Sequence, residues 1–307
     1  MKAIQYKDYG DSGVIENVEV PKPVIKNENE VLIQVKASGV NPIDIKIRTG
    51  LMKATRPITM PFIPGGEASG IVVAVGGKVA GFKVGDEVIA LTRNHAYAEY
   101  AIANEDYVSL KPKSLSFEEA AAITVNLGTA EAVLFQNGKL EKGQTVLIQG
   151  GGGAVGGTLV QVAKSIGAYV IATASGNGVS LAKELGADEV IDYKLHDVSK
   201  VVTNVDLVAD TAGGESQSRL FEVLKPGGTL LSIVVPPSQE LAQQYNVKAG
   251  FVASDNSAKN LERGIGLINS EQFKIIVAKT FRLEEAATAQ DAVSAGGLNG
   301  KIVLIVK

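Results

Sequence analysis

The sequence predicts an α/β fold in two parts: a doubly wound parallel sheet around a glycine-rich turn, and a β-rich, barrel-like part ahead of it. Three observations predict it. Thr145–Gln149 is a short, uncharged, largely β-branched run of the kind buried on both faces of a parallel sheet; four consecutive glycines follow, and then Val155, Leu159, Val162 and Ile166 recur at helical spacing up to Gly167. From about Ser116 onward strand-like and helix-like segments alternate, as in a sheet wound with helices on both faces. Before about Leu110, short strand-like runs are separated by Pro, Gly and Asn turns, the pattern of a compact barrel.

Within the glycine stretch Gly151, Gly153 and Gly156 satisfy G-x-G-x-x-G between a strand and a helix. One glycine permits the tight turn, one lets the backbone approach a pyrophosphate, and one lets helix and strand pack closely. The pyrophosphate is expected on the N–H groups that open the helix, at Gly153, Ala154, Val155 and Gly156, where the helix dipole favours negative charge. A second strand, residues 169–174, should end at the residue that reads the adenosine ribose. An NAD enzyme places Asp or Glu there; this chain runs instead into Thr173, Ala174, Ser175, Gly176 and Asn177, with no acidic residue until Glu184. Small hydroxyl and amide groups leave room and donors for a 2′-phosphate, so the expected cofactor is NADP(H), with Ser175 and Asn177 beside the phosphate.

Composition bounds the function. With 307 residues, 45% hydrophobic and 21% charged, the chain suits one large or two ordinary globular domains. A net charge of −3 with no basic block argues against nucleic acid as a partner, and no apolar run reaches membrane-spanning length. The first ten residues lack an apolar signal region, making the cytoplasm the expected location. The absence of cysteine excludes disulfides, thiolate catalysis and Cys-ligated zinc; His95 and His196 are too far apart and isolated to complete a metal site, so none is expected.

In order, strands are expected at residues 3–6, 14–20, 31–38, 66–74, 87–91 and 97–102, with a turn at 81–86. Ser116 and Glu119 form a capping box opening a helix, and residues 129–135 form a second. After the glycine unit come helix 180–185, strands 189–191 and 205–210, helix 216–223 closed by Lys225-Pro226-Gly227-Gly228, and strands 229–234 and 245–253. A helix to 268, a strand near 274–278, a helix 283–295 and a strand 301–306 finish the chain.

Taken together, VKASGVNPIDIKIR, PFIPGGEASGIVVAVG, FKVGDEVIAL, AYAEYAIA, LSFEEAAAI, VLIQGGGGAVGGTLVQVAK, LGADEVIDY, LKPGGTLLSI and the closing GKIVL resemble the zinc-independent quinone and enone reductases, ζ-crystallin-like, of the medium-chain dehydrogenase/reductase superfamily. The resemblance implies a GroES-like β-barrel catalytic domain at residues 1–117 and 258–307, a doubly wound Rossmann NADP(H)-binding domain at 118–257, and substrate in the cleft between them. Zinc-using relatives carry Cys where this chain has Asn41 and His where it has Gly66. By the same resemblance Asn41 faces nicotinamide and substrate, Thr129 lies beside the nicotinamide, Ser175 and Tyr193 hold the 2′-phosphate, and Gly213 and Gly214 lie near the cofactor. The backbone of Ile233, Val234 and Val235 approaches the carboxamide, while Phe251, Val252 and Ala253 close over the nicotinamide. A homodimer through a sheet edge at residues 229–235 is also implied.

The expected chemistry is hydride transfer to a quinone or an α,β-unsaturated carbonyl, which needs a donor near the developing oxyanion. Asn41, Lys46 and Tyr97 are the candidates; Asn41 otherwise reads as a turn residue before Pro42, Lys46 as a solvated helix face, and one of Tyr97 and Tyr100 as core. Lys46 and Met52 stand where several bacterial quinone reductases have tyrosine, and no basic residue stands near Asn177. Two other readings remain open: an NADPH-binding sensor or partner protein without significant turnover, and an enoyl-thioester reductase, for which no dense basic cluster is seen.

Overall fold

The computed structural model describes every residue except Arg93. The chain opens with β1 (Lys2–Gln5), β2 (Glu16–Glu19), β3 (Glu30–Val40), α1 (Pro42–Arg48), β4 (Glu67–Val75), β5 (Glu87–Leu91), β6 (Tyr100–Asn104), β7 (Val108–Leu110) and α2 (Phe117–Ala120). It continues through α3 (Thr124–Ala130), a π-helical turn Glu131–Asn137, β8 (Thr145–Gln149), α4 (Ala154–Ser165), β9 (Tyr169–Ala174), α5 (Asn177–Glu184), β10 (Glu189–Asp192), α6 (Val198–Val201) and β11 (Val205–Asp210). A 3₁₀ helix Glu215–Phe221, β12 (Leu224–Ser232), α7 (Gln239–Gln244), β13 (Lys248–Phe251), α8 (Ala258–Asn269), β14 (Val277–Arg282), α9 (Ala286–Ala295) and β15 (Lys301–Ile305) complete it.

These elements fall into two compact units. The first comprises Met1–Val125, Asn256–Ile265 and Ile275–Lys307; the second comprises Asn126–Asp255 with Gly266–Lys274. The first unit thus runs past the boundary expected at residue 117, because α2 packs on β3 and β4 and Ala121 and Ala122, just beyond that helix, join Ala37 and Val303 in one apolar cluster; residues 266–274, expected in the first unit, belong to the second.

Among the described residues, the first unit holds a hairpin of β1 and β2 and a seven-stranded sheet in the order β14-β15-β3-β4-β5-β7, with β6 also on β3. The long β3 is its spine. Its start pairs with β6, its end with β15, and β4 runs along it with register shifts at Leu32/Ile33 and Val35/Ala37. Such bulges bend a strand, which lets one strand serve two partners and lets the sheet curl. The sheet closes over buried Val31, Ile33, Val72, Val88, Ala90, Ala103 and Val108 on one side and Ile4, Val35, Val40, Tyr97 and Leu304 on the other. Each valine, leucine or isoleucine among them contributes about 1.5–3 kcal/mol by leaving water.

The second unit is a parallel six-stranded sheet in the order β10-β9-β8-β11-β12-β13. Numbered within the unit this is 3-2-1-4-5-6, the doubly wound order whose ligand crevice lies where the strand order reverses, beyond the carboxyl ends of β8 and β11. Val146, Leu147 and Ile148 of β8 are fully buried, as an uncharged central strand requires. Helix α4 buries Gly156, Gly157, Leu159, Val160, Val162 and Ala163, and Gly167 beyond it has φ +81°, the left-handed helix end expected from its sequence.

Several element expectations shift. The strand expected at 97–102 begins only at Tyr100, because the Tyr97 backbone bonds outward to Pro64 and Ile4 rather than along the β3 ladder. The turn at Lys225–Gly228 is a bulge inside β12: Leu224 pairs with Val205 and Thr229 with Leu207, so Pro226 and the left-handed Gly227 loop out. The segment expected as helix 216–223 is the 3₁₀ helix Glu215–Phe221, and α5 starts at Asn177, three residues earlier than expected. Residues 229–235 are no sheet edge. Strand β12 is paired on both sides, by β11 and by β13, and the edges of this sheet are β10 and β13.

Candidate active site

In the second unit the glycine turn joins β8 to α4, and the surroundings of Gly151 and Gly156 require glycine there. A Cβ at Gly156 would stand 2.1 Å from the Gly150 carbonyl oxygen, and one at Gly151 would stand 2.6 Å from Ala172 Cβ on β9. These two glycines let helix, turn and neighbouring strand pack together. Gly153 differs: its backbone is extended and a Cβ would approach nothing nearer than 3.3 Å, so its bare surface leaves room for a ligand rather than for protein. No side chain caps the N–H groups at the start of α4, which begins with Ala154 and Val155. That is a cradle for an anion. Thr173 Oγ1 accepts from the Gly150 N–H at 3.1 Å, holding the turn against the end of β9.

Beyond β9, the Ser175 hydroxyl donates to Tyr193 Oη at 2.9 Å, bringing together two residues expected at the 2′-phosphate. Asn177 is the first residue of α5 and is exposed. The turn after β11 is organised by Asp210, a residue the sequence reading passed over. Its buried carboxylate accepts the N–H groups of Ala212 and Gly213 at 3.1 and 2.7 Å, the Gln217 amide at 2.8 Å and the Ser232 hydroxyl at 2.8 Å. Gly213 and Gly214 take φ +65° and +78° in this turn. Ser232 in turn accepts from Val234 and Val235 N–H, so one carboxylate sets both the 213–214 turn and the Ile233–Val235 stretch. Phe251 and Ala253 are exposed and Val252 is buried, its N–H donating to the Ser232 carbonyl. Thr129 lies on α3, nearly buried, and Asn126 of the same helix donates to the Ala154 carbonyl at 3.3 Å.

In the first unit the candidates fall on a chain of buried polar groups. Asn41 is the N-cap of α1, yet its side chain does not cap the helix. The capping carboxylate is Asp44, which accepts the Asn41 backbone N–H at 2.9 Å. The freed Asn41 carboxamide donates through Nδ2 to Glu67 Oε1 at 2.8 Å and accepts through Oδ1 from Lys301 Nζ at 2.6 Å. Lys301 and Glu67 also pair directly at 2.6 Å, and Glu67 Oε2 accepts the Val125 N–H at 2.8 Å. Ion pairs removed from water are tolerated only when every charge is matched and hydrogen-bonded, as here.

Register explains the assembly. Ile302 stands opposite Val40 in the β15–β3 pair, so Lys301 comes to Asn41; Ala68 stands opposite Ser38 in the β3–β4 pair, so Glu67 comes to Gly39. A Cβ at Gly39 would lie 2.3 Å from Glu67 Oε1, which is why glycine occupies that position. The sequence reading missed both Glu67 and Lys301. Their one signal was a charge at the head of each of two otherwise uncharged strands, EASGIVVAV and KIVLI.

Tyr97 is fully buried and its hydroxyl donates to Asp44 Oδ2 at 3.0 Å. The hydroxyl expected to assist an oxyanion is thus committed to a carboxylate inside the unit. Burial pushes the Asp44 carboxyl up to about 6, against the pull of the Asn41 N–H, the Tyr97 hydroxyl and the Lys301 charge. Burial also raises the Tyr97 phenol well above its ordinary value, reinforced by the Asp44 charge. Lys46 is half-buried and lies two positions past Asp44, on the other side of α1.

A Rossmann unit with an open anion cradle, and a GroES-like unit with a buried polar cluster at its first helix, define a dinucleotide-dependent oxidoreductase of two-domain type. Residues 27–113 match the family described as alcohol dehydrogenase GroES-like domain and residues 185–304 that described as zinc-binding dehydrogenase. A 2-methylene-furan-3-one reductase of Solanum lycopersicum is 35% identical over 99% of this chain and 79% of its own length. A quinone oxidoreductase of Mus musculus is 30% identical over 100% and 98%. Among solved structures, the quinone oxidoreductase from Coxiella burnetii has TM-score 0.90 at 32% identity, covering 100% of this chain and 99% of that one. The Escherichia coli quinone oxidoreductase complexed with NADPH has TM-score 0.89 at 26% identity, covering 99% and 100%. The chain belongs to the medium-chain dehydrogenase/reductase superfamily, and it is an oxidoreductase of that superfamily.

One of those descriptions names zinc, and the donors here do not fit it. The chain has no cysteine, and His95 and His196 are exposed residues far apart in sequence. Among the described residues no group of three or more His, Cys, Asp or Glu side chains is placed to hold a metal. At Asn41 and Glu67 the oxygen atoms face an ammonium, Lys301 Nζ, at 2.6 Å. Among the described residues no helix is long and apolar enough to cross a membrane.

Proposed function

We propose that this protein is an NADPH-dependent reductase that delivers hydride to quinones or α,β-unsaturated carbonyl compounds without help from a metal. The observation that carries the reading is the Asn41 carboxamide, which is released from helix capping and keeps one Nδ2 hydrogen uncommitted among the described residues. NADPH, when bound, supplies the hydride. The protein's residues hold it and prepare the acceptor. The open N-terminus of α4, with the bare Gly153 before it, receives the pyrophosphate, and Ser175, Tyr193 and Asn177 line the end of β9 where the 2′-phosphate belongs. Gly213, Gly214 and the Ile233–Val235 backbone, held through Asp210, shape the nicotinamide end with Thr129, Phe251 and Ala253.

As an acceptor carbonyl gains negative charge, a preoriented N–H near its oxygen is worth more in a dry site than in water. Asn41 supplies that donor. Tyr97 and Asp44 act behind it, since Asp44 ties down the Asn41 backbone and Tyr97 ties down Asp44. The relatives support the same substrate class: they include a reductase of a methylene-furanone and quinone oxidoreductases, and NADPH is the ligand of two solved neighbours.

Oxidation of NADPH and NADH is followed against 1,4-benzoquinone, 9,10-phenanthrenequinone, a linear enone and a saturated alcohol, with and without chelator. Turnover of a quinone or enone with NADPH, indifferent to chelator, is expected. Binding of NADPH with no turnover of any acceptor, or activity lost to chelator and restored by zinc, defeats the reading.

A further inference from the structure

We infer that Glu67 and Lys301 are positioning residues that lock the Asn41 carboxamide in one orientation, so that it presents N–H and never its carbonyl oxygen. The inference rests on the reading of Asn41 as the donor to the acceptor's oxygen. A side-chain amide has two nearly isosteric ends, and an unconstrained Asn can turn either toward a ligand. Here the ends are sorted by charge. The Lys301 ammonium donates to Oδ1 at 2.6 Å and the Glu67 carboxylate accepts from Nδ2 at 2.8 Å. Turning the amide over would set its NH₂ against the ammonium and its oxygen against the carboxylate, exchanging two charge-assisted hydrogen bonds for two repulsions.

The arrangement is itself held firmly. Glu67 is fully buried and Lys301 is 4% exposed; they pair with each other at 2.6 Å, and the far oxygen of Glu67 takes the Val125 N–H. Gly39 leaves room for the carboxylate, with no space for a Cβ between them. A Lys–Glu pair buried in uncharged strands costs desolvation that a pair of aliphatic side chains would avoid. The sorting of the Asn41 amide gives that cost a role. A site so sorted favours acceptors whose oxygen becomes anionic and offers nothing to groups that must donate a hydrogen bond.

The test uses Glu67→Gln with Lys301→Met in one chain, which removes both charges together and so leaves no unpaired buried ion. Measured with an enone and NADPH, this double variant is expected to lose kcat at least tenfold while the Kd for NADPH stays within about twofold. In an Asn41→Ala background the same two changes are expected to alter kcat less than about twofold, because there is no amide left to orient. Equal losses in both backgrounds would show a merely structural role, and unchanged kcat in the Asn41 background would show none; either overturns the inference.

A second arm does not depend on turnover. In protein labelled with ¹⁵N-asparagine, the two Nδ2 protons of Asn41 are expected as well-separated signals protected from exchange, collapsing toward ordinary side-chain values in the single variant Glu67→Gln and in the double variant. Signals unmoved by both overturn the inference. If the wild-type protein reduces none of the acceptors yet these signals respond, the orientation stands and the reductase reading falls.

Discussion

The Tyr97 hydroxyl donates to Asp44 Oδ2 at 3.0 Å, inside a unit where both side chains are buried. The Asp44 carboxyl, whose ordinary value is 3.8, is pushed up to about 6 by burial. The folded chain therefore keeps a proton between about pH 4 and pH 6 that the unfolded chain releases, and stability falls as pH rises through that window. The stability of the wild type relative to Asp44→Asn, measured by urea unfolding, should drop by roughly 2 kcal/mol from pH 4 to pH 6.5. A difference that stays flat, or that rises with pH, contradicts the assignment.

The glycines of the β8–α4 turn separate folding from binding. At Gly156 a Cβ would meet the Gly150 carbonyl at 2.1 Å, so Gly156→Ala should cost stability by about 2 kcal/mol or more. At Gly153 the nearest atom, the Gly150 carbonyl oxygen, is 3.3 Å away, a tight but much milder contact, so Gly153→Ala should cost no more than about 1 kcal/mol while weakening NADPH about tenfold, its methyl standing where the pyrophosphate belongs. Thermal unfolding beside a fluorescence titration of NADPH checks both; a Gly153→Ala protein with wild-type affinity would move the phosphate elsewhere.

Ser175 at the carboxyl end of β9 shares a hydrogen bond with Tyr193, and no carboxylate lies between the glycine turn and Ser175. Ser175→Asp places a negative charge at the expected 2′-phosphate, and the Kd for NADPH should rise tenfold or more while that for NADH changes less than about threefold. Equal weakening of both cofactors would detach these residues from the 2′-phosphate.

Self-association, if it extends the six-stranded sheet, should use β13. The other edge, β10, begins and ends with Glu189 and Asp192, which would repel their copies, whereas β13 offers Ala249, Gly250 and a half-exposed Phe251. The Val252 N–H donates to Ser232 on β12, and Ala249 alternates with it, its carbonyl taking Gln239 on the outer side. Ala249→Pro therefore removes an outward N–H and spares the inner ladder. Light scattering after size exclusion should show a dimer for the wild type and a monomer for Ala249→Pro; a variant that stays dimeric rules out this edge.

The sequence by itself determined the elements whose physics is local. The uncharged run of β8, the glycines and the helical spacing of α4 specify strand, turn and helix through neighbours a few residues apart, and the Ser116–Glu119 capping box forms as its spacing requires. The alternation of segments was enough for a doubly wound sheet, and the missing carboxylate after β9 was legible because the ribose-reading position is set by distance along the chain. The identity of the sheet edge was not legible: whether β12 or β13 lies outermost depends on which strand docks last against β11, and neither strand's composition states that.

Only the tertiary structure decided the polar cluster. Asn41 meets Glu67 across 26 positions of sequence and Lys301 across 260, and Asp44 meets Tyr97 across 53. A charge in an uncharged strand announces that a partner must exist, because an unpaired buried ion costs several kcal/mol. It does not say which partner. That follows from strand register, where a shift of one residue would turn Lys301 to the opposite face of the sheet and leave the Asn41 amide unsorted.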